Sequence, residues 1–591
     1  MCRRIFPLCA LIIAFAQIAR AAEPTLENHA REKLTHEEMM SSHFEDTSPI
    51  ATKFYLPSNS AEPAQHSFLG TLVFPESDMI TEPMEIEPTL FKGKRNQLFP
   101  DVHIRFFTVD DSLVPIERGI VDGESGNSPW QMLASPGRVW SEKGDQAYSR
   151  ASFPFALTNK YENETYNGIA TFLFNESEIS HLRYQIVQQL TPYLIETWFV
   201  ATGHVDVRYI SGGVDEIKTL TQGFERELND RTPMRSWQEL EKKYDPDVLH
   251  EFGAWSRPDW VITSGLIIDD VIYAKPAQTR YGDYPYPNEM RHGMWSVTKS
   301  MLGMVSTLRM AQKYGDEIFE YKIKDYFEIT ADHDGWEAVT IGDALNMATG
   351  IGGTGSTTVP PNEIGDGYFA DLEAYNGWYL APSADEKLAY IFQVPNYPWG
   401  PGEYPRYRDR DYFLLAATLQ RLLQKREGPD ASLWEMMQAE VYGPIGIRHM
   451  TAVTSFETDD RPGVPHMGYG LYMNLDEIAK VTRLLHNEGK HNGKQLLSPA
   501  KLAEALYQTP TRGLPTGDSN EHGQNTYHMS LWHMPFRSDQ GIEFSIPEMH
   551  GWGGIVVTLM PNGMTAFKIG NAGYETMSMT EVANRLRPFK P

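Results

Sequence analysis

The sequence predicts an α/β fold in two parts: a β-rich accessory domain over residues 22–240, then a catalytic domain of mixed helices and strands over 241–591. Three observations carry this. Short β-branched and aromatic runs, SFLGTLVF (67–74), HIRFFTV (103–109) and GIATFLF (168–174), dominate the first part. A polar, helical-looking stretch, ELNDRTPMRSWQELEKKYDP (227–246), separates it from the rest and sets the boundary near residue 240. Beyond it, helix and strand signals alternate.

The elements follow in chain order. Arg3 and Arg4 precede the apolar run IFPLCALIIAFA (5–16), and Ala19-Arg20-Ala21 has the small-x-small form of a cleavage site. Residues 1–21 read as a secretory signal peptide, too short for a membrane span. The expected protein is exported, periplasmic or secreted, by a route the two arginines leave open. Both cysteines, Cys2 and Cys9, lie in this segment. The mature chain is then without disulfides, thiolate metal sites or a cysteine nucleophile. In the accessory part, Asn167-Gly168 predicts a hairpin turn between TYN and IATFLF. In HVDVRYI (204–210), Val205, Val207 and Tyr209 alternate with polar residues, the period of a half-buried strand. No catalytic constellation stands out there.

In the second part, VTKSMLGMVSTLRMAQKYG (297–315) carries apolar residues at 297, 301, 304, 305 and 308, a helical stripe, with Gly315 as its C-cap. IGDALNMA, YFLLAATLQRLLQK and LDEIAKVTRLLHNEG are further helices. IVVTLMP and MTAFKIGN read as a strand pair joined around Pro561-Asn562-Gly563.

The formal net charge of −26 repels phosphate backbones and anionic membrane surfaces, so no nucleic-acid partner is expected. No later apolar run approaches the ~20 residues of a membrane helix. Gly350-Ile-Gly352-Gly-Thr-Gly355 fits G-x-G-x-x-G but follows a helix-like segment rather than a strand, so it lacks the dinucleotide context. There is no His-Glu-x-x-His, and no metal or other cofactor is expected. A Gly-x-Ser-x-Gly nucleophile elbow is also absent, which argues against the α/β-hydrolase fold.

Ser296-Val-Thr-Lys299 stands at the head of the striped helix. At spacing i, i+3 both side chains share one helical face, so an amine can reach the hydroxyl and take its proton. Ser498-Pro-Ala-Lys501 has the same spacing, but Ser498 reads as an N-cap with Pro499 at the first helical position. What separates the two is downstream of Ser296: Tyr407-Arg408-Asp409, then His550-Gly-Trp-Gly-Gly554 before a strand.

With these motifs the chain resembles the serine β-lactamase-related family, which includes class C β-lactamases, D-stereospecific peptidases, carboxylesterases and aminohexanoate-oligomer hydrolases. That family carries Ser-x-x-Lys, then Tyr-x-Asn, then Lys-Thr-Gly or a variant such as His-x-Gly on a late strand. The segments VTIGDALNMATGI (339–351), YRDRDYFLLA (407–416) and GPIGIRHMT (443–451) resemble the family's connecting segments. The likeness runs from residue 260 or so to near 585 and leaves the accessory part uncovered. It implies an antiparallel sheet flanked by helices with a helical subdomain.

The resemblance also implies roles. Ser296 is the acylated nucleophile, Lys299 relays its proton, and Tyr407 is general base and then acid toward the leaving group. The oxyanion hole is the N–H of Ser296 with one from residues 551–553. Asp409 and the His550, Gly551 and Trp552 segment form the substrate and oxyanion-hole region. Two departures stand out. Asp409 replaces the usual Asn; a carboxylate beside Lys299 favours its ammonium form and leaves Tyr407 as the better base. Arg406, Arg408 and Arg410 read either as neutralising Asp409 and Asp411, with one holding a substrate carboxylate, or as solvated loop charges. On the late strand, either His550 replaces the lysine or Met549-His550-Gly551 occupies the triplet with Trp552 supplying the N–H. The expected function is hydrolysis of an amide, peptide or ester bond in a small-molecule or oligopeptide, non-β-lactam substrate. The alternatives are a penicillin-binding DD-peptidase or β-lactamase, and a non-catalytic binding protein on the same fold. Oligomeric state is not encoded in any of these features.

Overall fold

Alternation along strands sends successive side chains to opposite faces, and here both faces find a core. The computed structural model describes residues 32–42, 47–85, 95–193, 198–352, 372–458 and 461–590. The expected signal peptide over 1–21 and Gly355 of the G-x-G-x-x-G segment lie outside the described residues. Among the described residues, twelve strands between Leu69 and Ser211 form one antiparallel sheet. On the strand Tyr166–Phe174, Ala170, Phe172 and Phe174 join an aromatic core with Phe68, Phe106, Phe153 and Phe155. Ile169 and Leu173 point the other way, into a core shared with Met294, Trp295 and Val297 of the second part. The two parts therefore pack as one body over this interface, and the strand is buried along its whole length.

Two local expectations are corrected. Asn167-Gly168 is not a hairpin turn but an irregularity inside a continuous strand, where the register with Leu182–Gln189 shifts. Glycine is required there by packing: a Cβ on Gly168 would lie 2.3 Å from the Phe155 ring. The turn comes earlier, at residues 159–165, where Asn159 Oδ1 accepts from the N–H groups of Tyr161 (2.9 Å) and Glu162 (3.0 Å). HVDVRYI is likewise two strands. Trp198–Val205 pairs with Leu182–Gln189, and Arg208–Ser211 crosses to pair with Leu69–Val73. Val205 and Val207 are buried, as their alternation predicts.

The stretch 227–246 is not one helix. Helix Ile217–Asp230 buries Phe224 against Phe107 and Val114 of the first sheet. Pro233 cannot extend it, and Met234–Ser236 becomes an edge strand of the second sheet. The chain thus changes sheets at residues 231–233, a few residues before the boundary expected near 240.

The second sheet runs Met234–Ser236, Val271–Ala274, Val261–Ile268, Thr565–Gly570, Ile555–Leu559, Glu543–Gly551, Leu531–Arg537, Gly523–His528, Leu514–Asn520. It is antiparallel except for the first pair. One face, with Met549, Val557 and Phe567, meets the helices Val305–Tyr314 and Asp409–Glu427. The other, with Ile546 and Ala566, is covered by Trp237–Glu241 and Met577–Leu586. No helix among the described residues is long and apolar enough to cross a membrane.

Candidate active site

The i, i+3 spacing does what it predicts. Ser296 closes the turn at the head of its helix, accepting from the Lys299 N–H (3.0 Å), and Lys299 Nζ lies 2.7 Å from Ser296 Oγ. The helix begins with π-type winding over Lys299–Met304 before the α-helical Val305–Tyr314, a distortion frequent at functional sites. Trp295, just before Ser296, sits in the left-handed region at φ +46°, which a bulky residue rarely adopts without being held there.

Asp409 heads the helix Asp409–Glu427, and its Oδ1 lies 2.5 Å from Lys299 Nζ. The third contact of Nζ is the Gly468 carbonyl at 2.8 Å. An ammonium has three protons and no lone pair, so these three acceptors saturate it. Asp409 Oδ2 accepts from the Tyr375 hydroxyl at 2.8 Å. Burial depresses the Lys299 pKa, while the charge and hydrogen bond of Asp409 act in the opposite direction. The ring of Tyr407 lies beneath the amine, 4.5 Å from Nζ to its centroid, and its hydroxyl is hydrogen-bonded to Ser296. Burial first and the Asp409 charge second push the Tyr407 phenol well above its usual range, opposed by the Ser296 bond. Asp409 thus acts on both candidate bases: it favours the ammonium, and it disfavours a phenolate. A serine hydroxyl with an amine and a phenol on it can add to a carbonyl and return its proton to a leaving group.

The family profile described as Beta-lactamase matches residues 264–576, more than half of the 591. The chain belongs to the beta-lactamase family. Its members are mostly serine hydrolases, and the matched region contains Ser296, Lys299, Tyr407 and the late strand. Several solved structures are similar. A penicillin-binding protein homologue from Caulobacter crescentus is 13% identical with TM-score 0.40, over 57% of this chain and 96% of that one. For a family VIII carboxylesterase the values are 16% and 0.40, over 58% and 97%. For a D-stereospecific amidohydrolase from Streptomyces sp. they are 13% and 0.38, over 58% and 98%. No curated protein matches the chain.

On the late strand of this beta-lactamase-family domain, alternation separates Met549 from His550. Met549 is buried in the core, whereas His550 stacks on Trp532 (5.4 Å, 18°) and Tyr574 (5.3 Å, 17°). Its Nε2 lies 2.8 Å from Glu548 Oε2. Trp532 also stacks on Tyr407 at 5.6 Å, which ties His550 to the site through one ring. Gly551 approaches the turn before Ser296 so closely that a Cβ would lie 2.5 Å from the Met294 carbonyl oxygen. Trp552 donates from Nε1 to Pro192 O (2.8 Å) and packs edge-on against Tyr193 (5.2 Å).

The three arginines are buried rather than solvated. Arg406 is buried over the rings of Trp399 and Tyr397. Arg408 pairs with Asp411 at 2.8 Å and with Thr349 at 3.0 Å, and Arg410 is buried. Of the two readings of these arginines, neutralisation holds for Asp411 through Arg408, while Asp409 pairs with Lys299. Tyr375, Trp532 and Tyr193 were not anticipated. They stand in no motif, and only folding brings them against Asp409, Tyr407 and Trp295.

Proposed function

We propose that the chain is an exported serine hydrolase that opens an amide, peptide or ester bond of a linear, non-β-lactam substrate through an acyl-enzyme on Ser296. The observation that carries this reading is the buried contact of Lys299 Nζ with Ser296 Oγ and Asp409, with Tyr407 bonded to the same serine. In the fraction of molecules in which the Lys299–Tyr407 pair has lost one proton to solvent, Ser296 Oγ adds to the carbonyl carbon as its own proton passes to that pair. The C–N or C–O bond then breaks, and Tyr407 returns the proton to the departing atom. Water repeats the sequence on the acyl-enzyme and frees Ser296. The Ser296 N–H and one from 551–553 hold the oxyanion, an arrangement in which each donor contributes ~10²–10³ in rate. Export rests on the basic and apolar pattern of residues 3–21.

Selection against β-lactams follows from charge. The family's late-strand lysine position holds His550 or Met549 here, a weaker or absent cation, and Arg406 and Arg408 are engaged elsewhere. Both oxygens of Asp409 already accept hydrogen bonds, so it cannot donate one to a substrate amide as Asn would. With the mature protein, kcat/KM for nitrocefin is expected to fall at least about tenfold, ~1.4 kcal/mol, below the best of a panel of p-nitrophenyl esters and D- and L-peptide amides. A nitrocefin value equal to or above the rest of the panel rejects the substrate class.

Asp409→Asn tests the proton chemistry. Asp409 raises the pKa of both Lys299 and Tyr407. Removing its charge lowers both, so the base form persists to lower pH. The acid limb of kcat/KM is expected to move toward lower pH, as measured with the preferred ester across a pH series. A limb that stays in place means the carboxylate does not control the base.

A further inference from the structure

The accessory part reaches the nucleophile through its 159–165 turn. Asn163 is fully buried, and its Oδ1 accepts from the N–H of Trp295 at 2.6 Å and of Gly470 at 3.2 Å. Its Nδ2 donates to Leu471 O at 3.2 Å. One amide therefore joins two segments. The first is the turn that presents Ser296. The second, 468–471, supplies through Gly468 the carbonyl that fixes Lys299. The docking leaves no slack: a Cβ on Gly293 would lie 1.3 Å from Asn163 O. Around it, Tyr472 donates to Glu162 O (3.1 Å) and Asn167 Nδ2 to Arg291 O (3.0 Å). The turn is held on its own side by Asn159.

We infer that Asn163 is a positioning residue for the nucleophile: its side-chain oxygen holds Trp295 in the left-handed conformation and so aims Ser296 Oγ at Lys299. The argument is geometric. Trp295 at φ +46° is one bond pair from the Ser296 backbone, and glycine, which adopts that conformation freely, is absent at 295. A bulky residue keeps such a conformation only where its surroundings over-determine it. The Trp295 N–H is where this happens, and its partner comes from outside the family-matched residues 264–576. The accessory part thus completes the catalytic turn rather than standing apart from it.

This rests on the serine-hydrolase reading above, and one experiment separates the two. The full mature chain is labelled with a fluorophosphonate and the labelled peptide is mapped; label on a residue other than Ser296 overturns the hydrolase reading and this inference with it. With Ser296 labelled in the wild type, Asn163→Ala is expected to slow labelling and kcat by about 10–100-fold, the scale of a misplaced reacting group. KM should change by less than about threefold, since Asn163 touches no substrate. Asn163→Ser, too short to reach the Trp295 N–H, gives the same readout should the alanine variant fail to fold. Asn163→Asp keeps the acceptor oxygen and should restore labelling to within about tenfold of wild type. A folded alanine or serine variant that labels at the wild-type rate overturns the inference, as does an Asp variant as slow as alanine.

Discussion

Ser296→Ala is expected to abolish turnover and fluorophosphonate labelling, with a loss in kcat on the order of 10⁶-fold, the scale seen when a serine nucleophile is removed from its catalytic set. The substitution takes away the hydroxyl that Lys299 and Tyr407 both address. It should cost little stability, because Lys299 keeps Asp409 and Gly468. Ser498→Ala is the matched control. Ser498 Oγ accepts from the Lys501 N–H (3.3 Å) and donates to Asp316 (2.6 Å), so it caps the helix Pro499–Ala505. Its loss should cost about 1 kcal/mol of stability and leave activity intact. Labelling that survives in Ser296→Ala would exclude Ser296 as the nucleophile.

Lys299→Met is expected to destabilise the fold by about 3–5 kcal/mol as well as silence it, because it leaves a buried charge without its partner. Lys299 is 1% and Asp409 6% exposed at the side chain, so water cannot replace the lost ammonium. The neutral Tyr375 hydroxyl would remain on the carboxylate. The companion variant Lys299→Met/Asp409→Asn removes both charges and should recover most of the stability in urea denaturation, without any activity. A single variant as stable as wild type would mean the pair is worth no more than a surface ion pair.

Much of this was legible along the chain. The striped helix, the Ser296–Lys299 spacing, the cap at Ser498 and the final strand pair are short-range patterns, and each is present as read. The misreadings were also local. Asn167-Gly168 is a common turn pair, but here Gly168 answers to the Phe155 ring rather than to a turn. The 227–246 stretch has helical composition on both sides of Pro233, which the strand Met234–Ser236 interrupts.

By itself the sequence determined the fold class, the family and the contact of Ser296 with Lys299, because hydrophobic period and i, i+3 spacing act within a few turns of chain. The partners of that amine were decided only by tertiary structure. Asp409 meets Lys299 across 110 residues, and Asn163 meets Trp295 across 132. Arg406 and Arg408, near Asp409 in sequence, turn to Trp399 and Asp411. A polar side chain buried by folding must take whichever partner the packing brings within about 3 Å, and no local pattern records which one that is.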